Sequence, residues 1–286
     1  MDWITGIQKS LDYIEAHLTD AISYEAAARE SASSAFHFQR MFSMLTGYTL
    51  GEYIRMRRLS LAADELHGTD DKVIDIALKY GYDTPESFSR AFTRFHGITP
   101  TQARRGCNIK SFSALSVKLI LEGGNLMDYR IEKRGAFKVL EKVESVSVDD
   151  EISKNTIPDF WTRSLKDGTM RELCKHVNEN KQLYGICYDN TSKDAKEFEY
   201  AIAADYDGGE IPDGFRVSEI PENTWAVFYA VGAMPDAIQN MWHRIFAEYF
   251  PASEYKPKGE IDIEVYPDGD MNSADYKSEI WVAVTK

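Results

Sequence analysis

The chain has 286 residues, 43% hydrophobic and 28% charged, with a net charge of −13. That is the composition of an ordinary globular protein of one or two domains, at roughly 100–200 residues each. No apolar run approaches the ~20 residues that span a bilayer, no leader pattern opens the sequence, and Cys107, Cys174 and Cys187 are scattered without a CxxC pair; a cytoplasmic protein with no membrane partner, no disulfide, no metal site and no cofactor is expected.

The charge is unevenly placed. Residues 1–110 carry 13 Lys and Arg against 14 Asp and Glu, and residues 111–286 carry 20 against 32. The acidity therefore belongs to the second part, which suits cations and repels phosphate. The first part is close to neutral, so any nucleic-acid contact there must rely on clustered basic residues and base contacts.

In chain order, Trp3–Leu18 places Ile4, Ile7, Leu11, Ile14 and Leu18 at helical spacing. Ser23 caps a short helix over Tyr24–Glu30. Ser33 or Ser34 starts the next, whose buried stripe is Phe38, Met41, Phe42 and Leu45, with Gln39, Arg40 and Ser43 on the other side and Gly47 closing it. Thr49 and Glu52 form a capping box that opens a helix of about 18 residues, roughly 27 Å long. Asp71 is expected to cap Lys72–Tyr80, and Gly81 to stop it. Thr84 caps another helix with Pro85 at its first position; Phe88, Phe92 and Phe95 face inward and Arg90, Thr93 and Arg94 outward. Thr99-Pro100 begins a last short helix. Displacing the sequence by fifty superimposes Ala27 on Ala77, Phe38 on Phe88, Arg40 on Arg90, Phe42 on Phe92, Gly47 on Gly97 and Thr49 on Thr99. Such a duplication of helix, turn and second helix reads as a tandem helix-turn-helix.

After Gly106 the pattern changes. Ser113–Leu121 reads as extended and Gly123-Gly124-Asn125 as a turn. Strands are predicted at Tyr129–Lys133, Phe137–Val148, Leu183–Tyr188, Phe198–Ala203, Thr224–Val231, Ile261–Tyr266 and Glu279–Val284. Helices are predicted over Phe160–Val177, interrupted near Asp167-Gly168, and over Pro235–Phe250. The fold class is therefore multidomain: an all-α double helix-turn-helix domain (1–106), a linker (107–126), and an α+β domain (127–286) of two tandem β-α-β-β units, forming one joint sheet or two facing halves. A cleft between the halves is the default ligand site.

Two resemblances sharpen this. Residues 22–105 resemble the DNA-binding domain of AraC-type transcriptional regulators, through Phe36-His37-Phe38-Gln39-Arg40-Met41-Phe42, Glu52-Tyr53-Ile54-Arg55-Met56-Arg57-Arg58-Leu59, Ile74-Asp75-Ile76-Ala77, Tyr80-Gly81-Tyr82, Phe88-Ser89-Arg90-Ala91-Phe92 and Gly97-Ile98-Thr99-Pro100. Residues 127–286 resemble the GyrI-like effector domain, through Phe160-Trp161, Trp225-Ala226-Val227-Phe228, Ile263-Glu264-Val265-Tyr266-Pro267-Asp268-Gly269-Asp270 and Glu279-Ile280-Trp281. Many AraC-type regulators carry the DNA-binding domain last; here it comes first.

The second helix of a helix-turn-helix presents its N-terminal part to the major groove, and successive turns of the groove lie about 34 Å apart. The resemblance implies that Ala35, Phe36, Gln39 and Arg40 read one groove, and Pro85, Glu86, Ser87 and Arg90 the next, on double-stranded DNA. Arginine suits guanine, glutamine adenine, glutamate cytosine and an aromatic ring the thymine methyl. Arg94, with Arg57, Arg58, Arg104 and Arg105, is assigned to phosphates. The phenylalanine stripe is core, and His37 is structural.

An aromatic cluster around a carboxylate holds a lipophilic cation. Alternation puts Glu279 and Trp281 on the face opposite Ile280, Val282 and Val284, and pairs Glu264 with Tyr266. The GyrI-like resemblance implies a glutamate in the terminal strand, favouring Glu279, followed by Trp161 and Trp225, with Phe160, Tyr229 and Glu264 completing the site. The expected function is a ligand-responsive transcriptional regulator, an activator that meets RNA polymerase, as monomer or dimer. The rival readings are a GyrI-like hydrolase and a ligand-sequestering protein.

Overall fold

Small polar residues start and stop the helices. The computed structural model describes residues 3–31, 33–117, 126–147, 150–176, 182–189 and 197–286. The first helices are α1 (Trp3–Ala16), α2 (Tyr24–Glu30), α3 (Ala35–Thr46), α4 (Leu50–Gly68), α5 (Val73–Lys79), α6 (Pro85–His96) and α7 (Pro100–Arg104). Ser23 accepts the Ala26 N–H, and Thr49–Glu52 and Thr99–Gln102 form reciprocal capping boxes. Thr84 accepts the Ser87 N–H, Pro85 sits in the first turn where its missing N–H costs nothing, and Gly97 closes α6 at φ 81°. One cap differs from expectation. Lys72, not Asp71, is the N-cap of α5 and makes no side-chain cap bond; the Asp71 carbonyl instead accepts from Arg104.

The polypeptide divides into two compact units, Met1–Ala32 with Thr46–Ile120 and Ser33–Leu45 with Leu121–Lys286. In the first unit, Leu59, Ala63 and Leu66 of α4 pack with Ile76, Phe88 and Phe92 of α5 and α6. At 19 residues, α4 is about 28 Å long. The segment 107–117 has no regular structure but is tied down along its length. The backbone N–H groups of Lys110, Phe112, Leu115 and Val117 donate to His96 Nδ1, Ser60 Oγ, Tyr53 Oη and Gln8 Oε1. The remainder of the predicted extended stretch and the Gly123-Gly124-Asn125 turn lie outside the described residues.

The second unit contains α3, β1 (Tyr129–Arg134), β2 (Phe137–Ser147), α8 (Asp150–Ser164), α9 (Thr169–Leu173), β3 (Gln182–Tyr188), β4 (Glu197–Asp205), β5 (Arg216–Ile220), β6 (Asn223–Val231), α10 (Asp236–Arg244), a π-helical turn (Ile245–Tyr249), α11 (Phe250–Ala252), β7 (Lys256–Pro267) and β8 (Lys277–Thr285). Among the described residues, the strands form one antiparallel sheet in the order β1-β6-β8-β7-β3-β4-β2-β5. The predicted halves are therefore fused into a single sheet. β2-α8-α9-β3-β4 is one half, β6-α10-β7-β8 the other, and the β3–β7 pair is their seam. Each half is flanked by a strand that immediately precedes the other: β1 lies on β6 and β5 on β2. Sequence reading missed β5, whose five residues show no clean apolar alternation, and started α8 ten residues late because Pro158 lies inside it.

Side-chain alternation gives the sheet two apolar faces. One gathers Val139, Ile186, Trp225, Val227, Ile263 and Trp281. The other gathers Leu140, Cys187, Tyr200 and Ile202 under Phe160 and Leu173 from α8 and α9.

Candidate effector cage and DNA-reading helices

Strand β7 carries chemistry on one face and core on the other. Ile261, Ile263 and Val265 are buried among apolar neighbours, so alternation sends Asp262, Glu264 and Tyr266 to the opposite side. Glu264 lies at the seam, where its backbone partner on β3 is Gly185. Its Oε1 accepts from Trp242 Nε1 at 2.7 Å; its Oε2 accepts from the Tyr266 hydroxyl at 2.9 Å and the Tyr200 hydroxyl at 3.4 Å. Trp161 completes the ring: its indole N–H donates to Tyr200 Oη at 2.9 Å, and its ring lies edge-on to Tyr266 at 5.1 Å. Burial, then the Glu264 charge, pushes the Tyr200 and Tyr266 hydroxyls well above their ordinary range, so both remain donors. Trp242 reaches the cage because Ile238, Met241, Trp242 and Ile245 form the buried stripe continuing from α10 into the π-helical turn.

A cation already stands in this cage. Arg40 of α3 places its guanidinium carbon 4.1 Å from the centre of the Trp242 ring. Its Nη1 bonds Asp262 Oδ2 at 2.9 Å, and its Nη2 lies 3.8 Å from Glu264 Oε1. Burial works against the arginine's charge, but Cys187, Asp262, Glu264 and Tyr200 raise its pKa above the ordinary value. Burial lifts Asp262 to about 6, against the pull of Arg40, and lifts the Cys187 thiol to about 12. His37, three residues before Arg40 on α3, is buried with its ring edge-on to Phe246, and burial followed by the Arg40 charge lowers it to about 3.

The sequence-predicted effector residues divide between the two sheet faces. Glu264 and Trp161 join the cage, and Phe160 packs beside Tyr200, with ring centres 6.5 Å apart. Glu279, Trp281, Trp225 and Tyr229 lie on the opposite face. There Glu279 is held by both Arg130 nitrogens at 2.9 and 3.1 Å and accepts from Trp281 Nε1, while Arg130 also bonds Tyr229. Glu279, Trp281 and Arg130 border a cleft of about 340 Å³ with Arg134 and Gln182. The terminal-strand glutamate is thus neutralised by an arginine, and the aromatic cage forms around Glu264 of β7. Tyr200, Trp242 and Asp262 were not selected from the sequence. Carboxylates alternating with Ile261, Ile263 and Val265 were the available signal for Asp262 with Glu264; Trp242 needed the tertiary fold.

The two reader helices differ in their surroundings. In α6, Glu86, Arg90 and Arg94 are exposed and Pro85 and Ser87 half-buried. In α3, Ala35 is buried, Gln39 is half-buried and donates to the Ala35 carbonyl, and Arg40 is engaged as described; the Phe36 side chain lies outside the described residues. Three arginines assigned to phosphate make bonds within the helical unit instead. Arg57 grips both oxygens of Glu15 and the Phe112 carbonyl, Arg58 donates to the Leu18 and Asp20 carbonyls, and Arg104 to that of Asp71. Arg105 is exposed. Among the described residues, no group of three His, Cys, Asp or Glu side chains gathers as a metal site, and no helix is long and apolar enough to cross a membrane.

Residues 27–106 match the helix-turn-helix domain family HTH_18, and residues 130–284 match Cass2, the integron-associated effector binding proteins. The HTH-type transcriptional activator AarP of Providencia stuartii is 44% identical over 98 residues, 34% of this chain and 73% of AarP. The regulatory protein SoxS of Escherichia coli is 41% identical over 98 residues, 92% of its length. The right origin-binding protein of Escherichia coli is 38% identical over 112 residues, and there the chain spans 39% of the relative. Among solved structures, SAV2435 bound to tetraphenylphosphonium shares the fold of the second unit, with a TM-score of 0.50 and 23% identity over 56% of this chain and 94% of that one. The chain therefore belongs to the integron-associated effector-binding family, as an AraC-type helix-turn-helix DNA-binding transcription regulator whose DNA-binding segment precedes its effector-binding domain.

Proposed function

We propose that this regulator takes a lipophilic, aromatic monocation in the cage around Glu264 and answers by changing its hold on DNA. The observation that carries this is a carboxylate held by Trp242, Tyr266 and Tyr200, with a cation stacked on the same indole. Cation–π contact with a desolvated ring contributes ~2 kcal/mol, and a nearby carboxylate supplies the counter-charge. The related SAV2435, which binds tetraphenylphosphonium, supports the ligand class.

In this reading, residues 1–106 form the DNA-binding segment, 127–286 the effector segment and 107–126 the connection. Pro85, Glu86, Ser87 and Arg90 of α6 read one major groove with Arg94 on phosphate. Ala35, Phe36, Gln39 and Arg40 of α3 read the next. The protein acts in the cytoplasm as an activator in contact with RNA polymerase. The test is a titration of the full chain with tetraphenylphosphonium, followed by tryptophan fluorescence. Saturable quenching that weakens tenfold or more in Glu264→Gln supports the reading; equal affinity in both proteins removes Glu264 from the site.

A further inference from the structure

Arg40 belongs to the helix assigned to base reading, yet its charge is spent in the effector cage. Ser33–Leu45 groups with the effector-binding unit, although the chain on either side of it does not. Polar and aromatic contacts from the start of α3 hold it there. Ser34 Oγ bonds Asp189, His37 lies edge-on to Phe246 where a Cβ on Gly259 would press against it, and Arg40 reaches Asp262, Glu264 and Trp242. Two features oppose this docking. His37 Nε2 and Asp262 Oδ1 are buried with no hydrogen-bond partner among the described residues, and an unmade bond at a buried polar atom disfavours the state that buries it. Against these costs stand the guanidinium's ion pair with Asp262 and its stack on the Trp242 ring.

We infer that α3 is a built-in competitor for the cage: Arg40 fills it in the absence of effector, and an aromatic monocation that takes the Trp242 face and Glu264 expels α3, releasing Ala35, Gln39 and Arg40 for DNA. The deciding geometry is steric and electrostatic. With the guanidinium carbon 4.1 Å above the indole and Nη2 3.8 Å from Glu264, a second cation cannot occupy the same ring face and carboxylate. Asp262 gives the device its selectivity. It bonds Arg40 but none of the aromatic donors around Glu264, so it stabilises the internal cation without being needed by a lipophilic one. A ligand acts here because it binds one arrangement and not the other, and its apparent affinity is lowered by the fraction of chains in which Arg40 occupies the site.

This inference rests on the proposed reading of the cage as the effector site, and the experiment separates the two. The full chain is titrated with tetraphenylphosphonium alone, as wild type, Arg40→Gln, Arg40→Lys, Asp262→Asn and Glu264→Gln, and amide hydrogen exchange is followed in the peptide covering residues 35–45. Arg40→Gln and Asp262→Asn are expected to bind the probe about tenfold tighter than wild type, as removal of an occupant present in nine chains of ten requires, with Arg40→Lys intermediate. The probe speeds exchange in 35–45 of the wild type, and Arg40→Gln exchanges fast without it. If wild type binds in a Glu264-dependent way while Arg40→Gln and Asp262→Asn bind equally or less tightly and exchange in 35–45 does not respond, the cage is an effector site and α3 is not its competitor. If no variant shows Glu264-dependent binding, the cage reading fails and the competition with it.

Discussion

Gly185 and Glu264 face each other across the seam of the sheet as backbone partners of β3 and β7. A Cβ on Gly185 would overlap the Tyr200 hydroxyl and stand 3.3 Å from Glu264 Oε2. The absent side chain is what lets Tyr200 reach the carboxylate. Gly185→Ala is expected to lower stability by about 1–3 kcal/mol, the usual cost of overpacking, and to weaken tetraphenylphosphonium binding. Thermal melts and a fluorescence titration measure both; a variant with unchanged melting and binding would show that Tyr200 is not confined as described.

Glu279 answers to a different partner. Its bidentate pair with Arg130 is about one-third exposed on the arginine side, so its worth is modest, ~1 kcal/mol or less. The hydrogen bonds that Arg130 donates to Glu279 above all, and also to Glu132 and Tyr229, hold its pKa above the ordinary value against the effect of burial. Glu279→Gln should cost about that much in denaturant unfolding and leave affinity for an aromatic monocation within twofold of wild type. A tenfold loss of affinity would return Glu279 to the effector site.

Arg90 is exposed on α6, and Arg57 is locked between Glu15 and the Phe112 carbonyl. Opposite phenotypes follow. Arg90→Ala should weaken specific DNA binding by about 1–3 kcal/mol and relax preference at one base pair without changing the melting temperature. Arg57→Ala should lower stability by roughly 2–3 kcal/mol, by leaving the partly buried Glu15 carboxylate short of donors. Footprinting on the DNA upstream of the protein's own gene, with single-base variants and parallel melts, distinguishes them. Arg90→Ala with wild-type affinity and base preference would sink the assignment.

Two buried groups of the effector unit oppose each other in pH. His37 falls from 6.5 to about 3, through burial and then Arg40. The unfolded chain takes up a proton there that the folded chain refuses, so this contribution is full above 6.5 and lost as pH falls toward 3. Asp262 rises from 3.8 to about 6; burial is the main cause, Arg40 opposes it, and Glu264 and Asp189 add to it. The folded chain keeps a proton that the unfolded one has released, so this contribution is full below 3.8 and lost as pH rises through 6. Between about pH 4 and 6 the two slopes cancel. Asp262→Asn should then make stability rise with pH across that interval relative to wild type, and His37→Gln should make it fall, each by up to about 1.4 kcal/mol per pH unit. Denaturant unfolding followed by Trp161, Trp225, Trp242 and Trp281 measures this; three parallel pH curves would refute it.

Much of the fold was legible locally. Caps at Ser23, Thr49, Thr84 and Thr99, the fifty-residue echo and the left-handed glycines set the helices, because a helix end is decided by a few adjacent residues. Strand alternation likewise announced one polar face on β7 and another on β8.

Which polar face becomes a cage was not a local matter. Glu264 and Glu279 look alike in sequence: each sits on a strand with an aromatic residue two positions on. Antiparallel pairing sends them to opposite faces of one sheet, where the first meets Trp242, Tyr200 and Tyr266 and the second meets Arg130. The repeat likewise placed Arg40 and Arg90 at equivalent helical positions, and only the tertiary structure gave Arg40 two carboxylates and an indole while leaving Arg90 in solvent. Charge and periodicity along a chain determine what a side chain can bind; its partner is chosen by contacts between segments more than 200 residues apart, as for Arg40 and Asp262, and those exist only once the chain has folded.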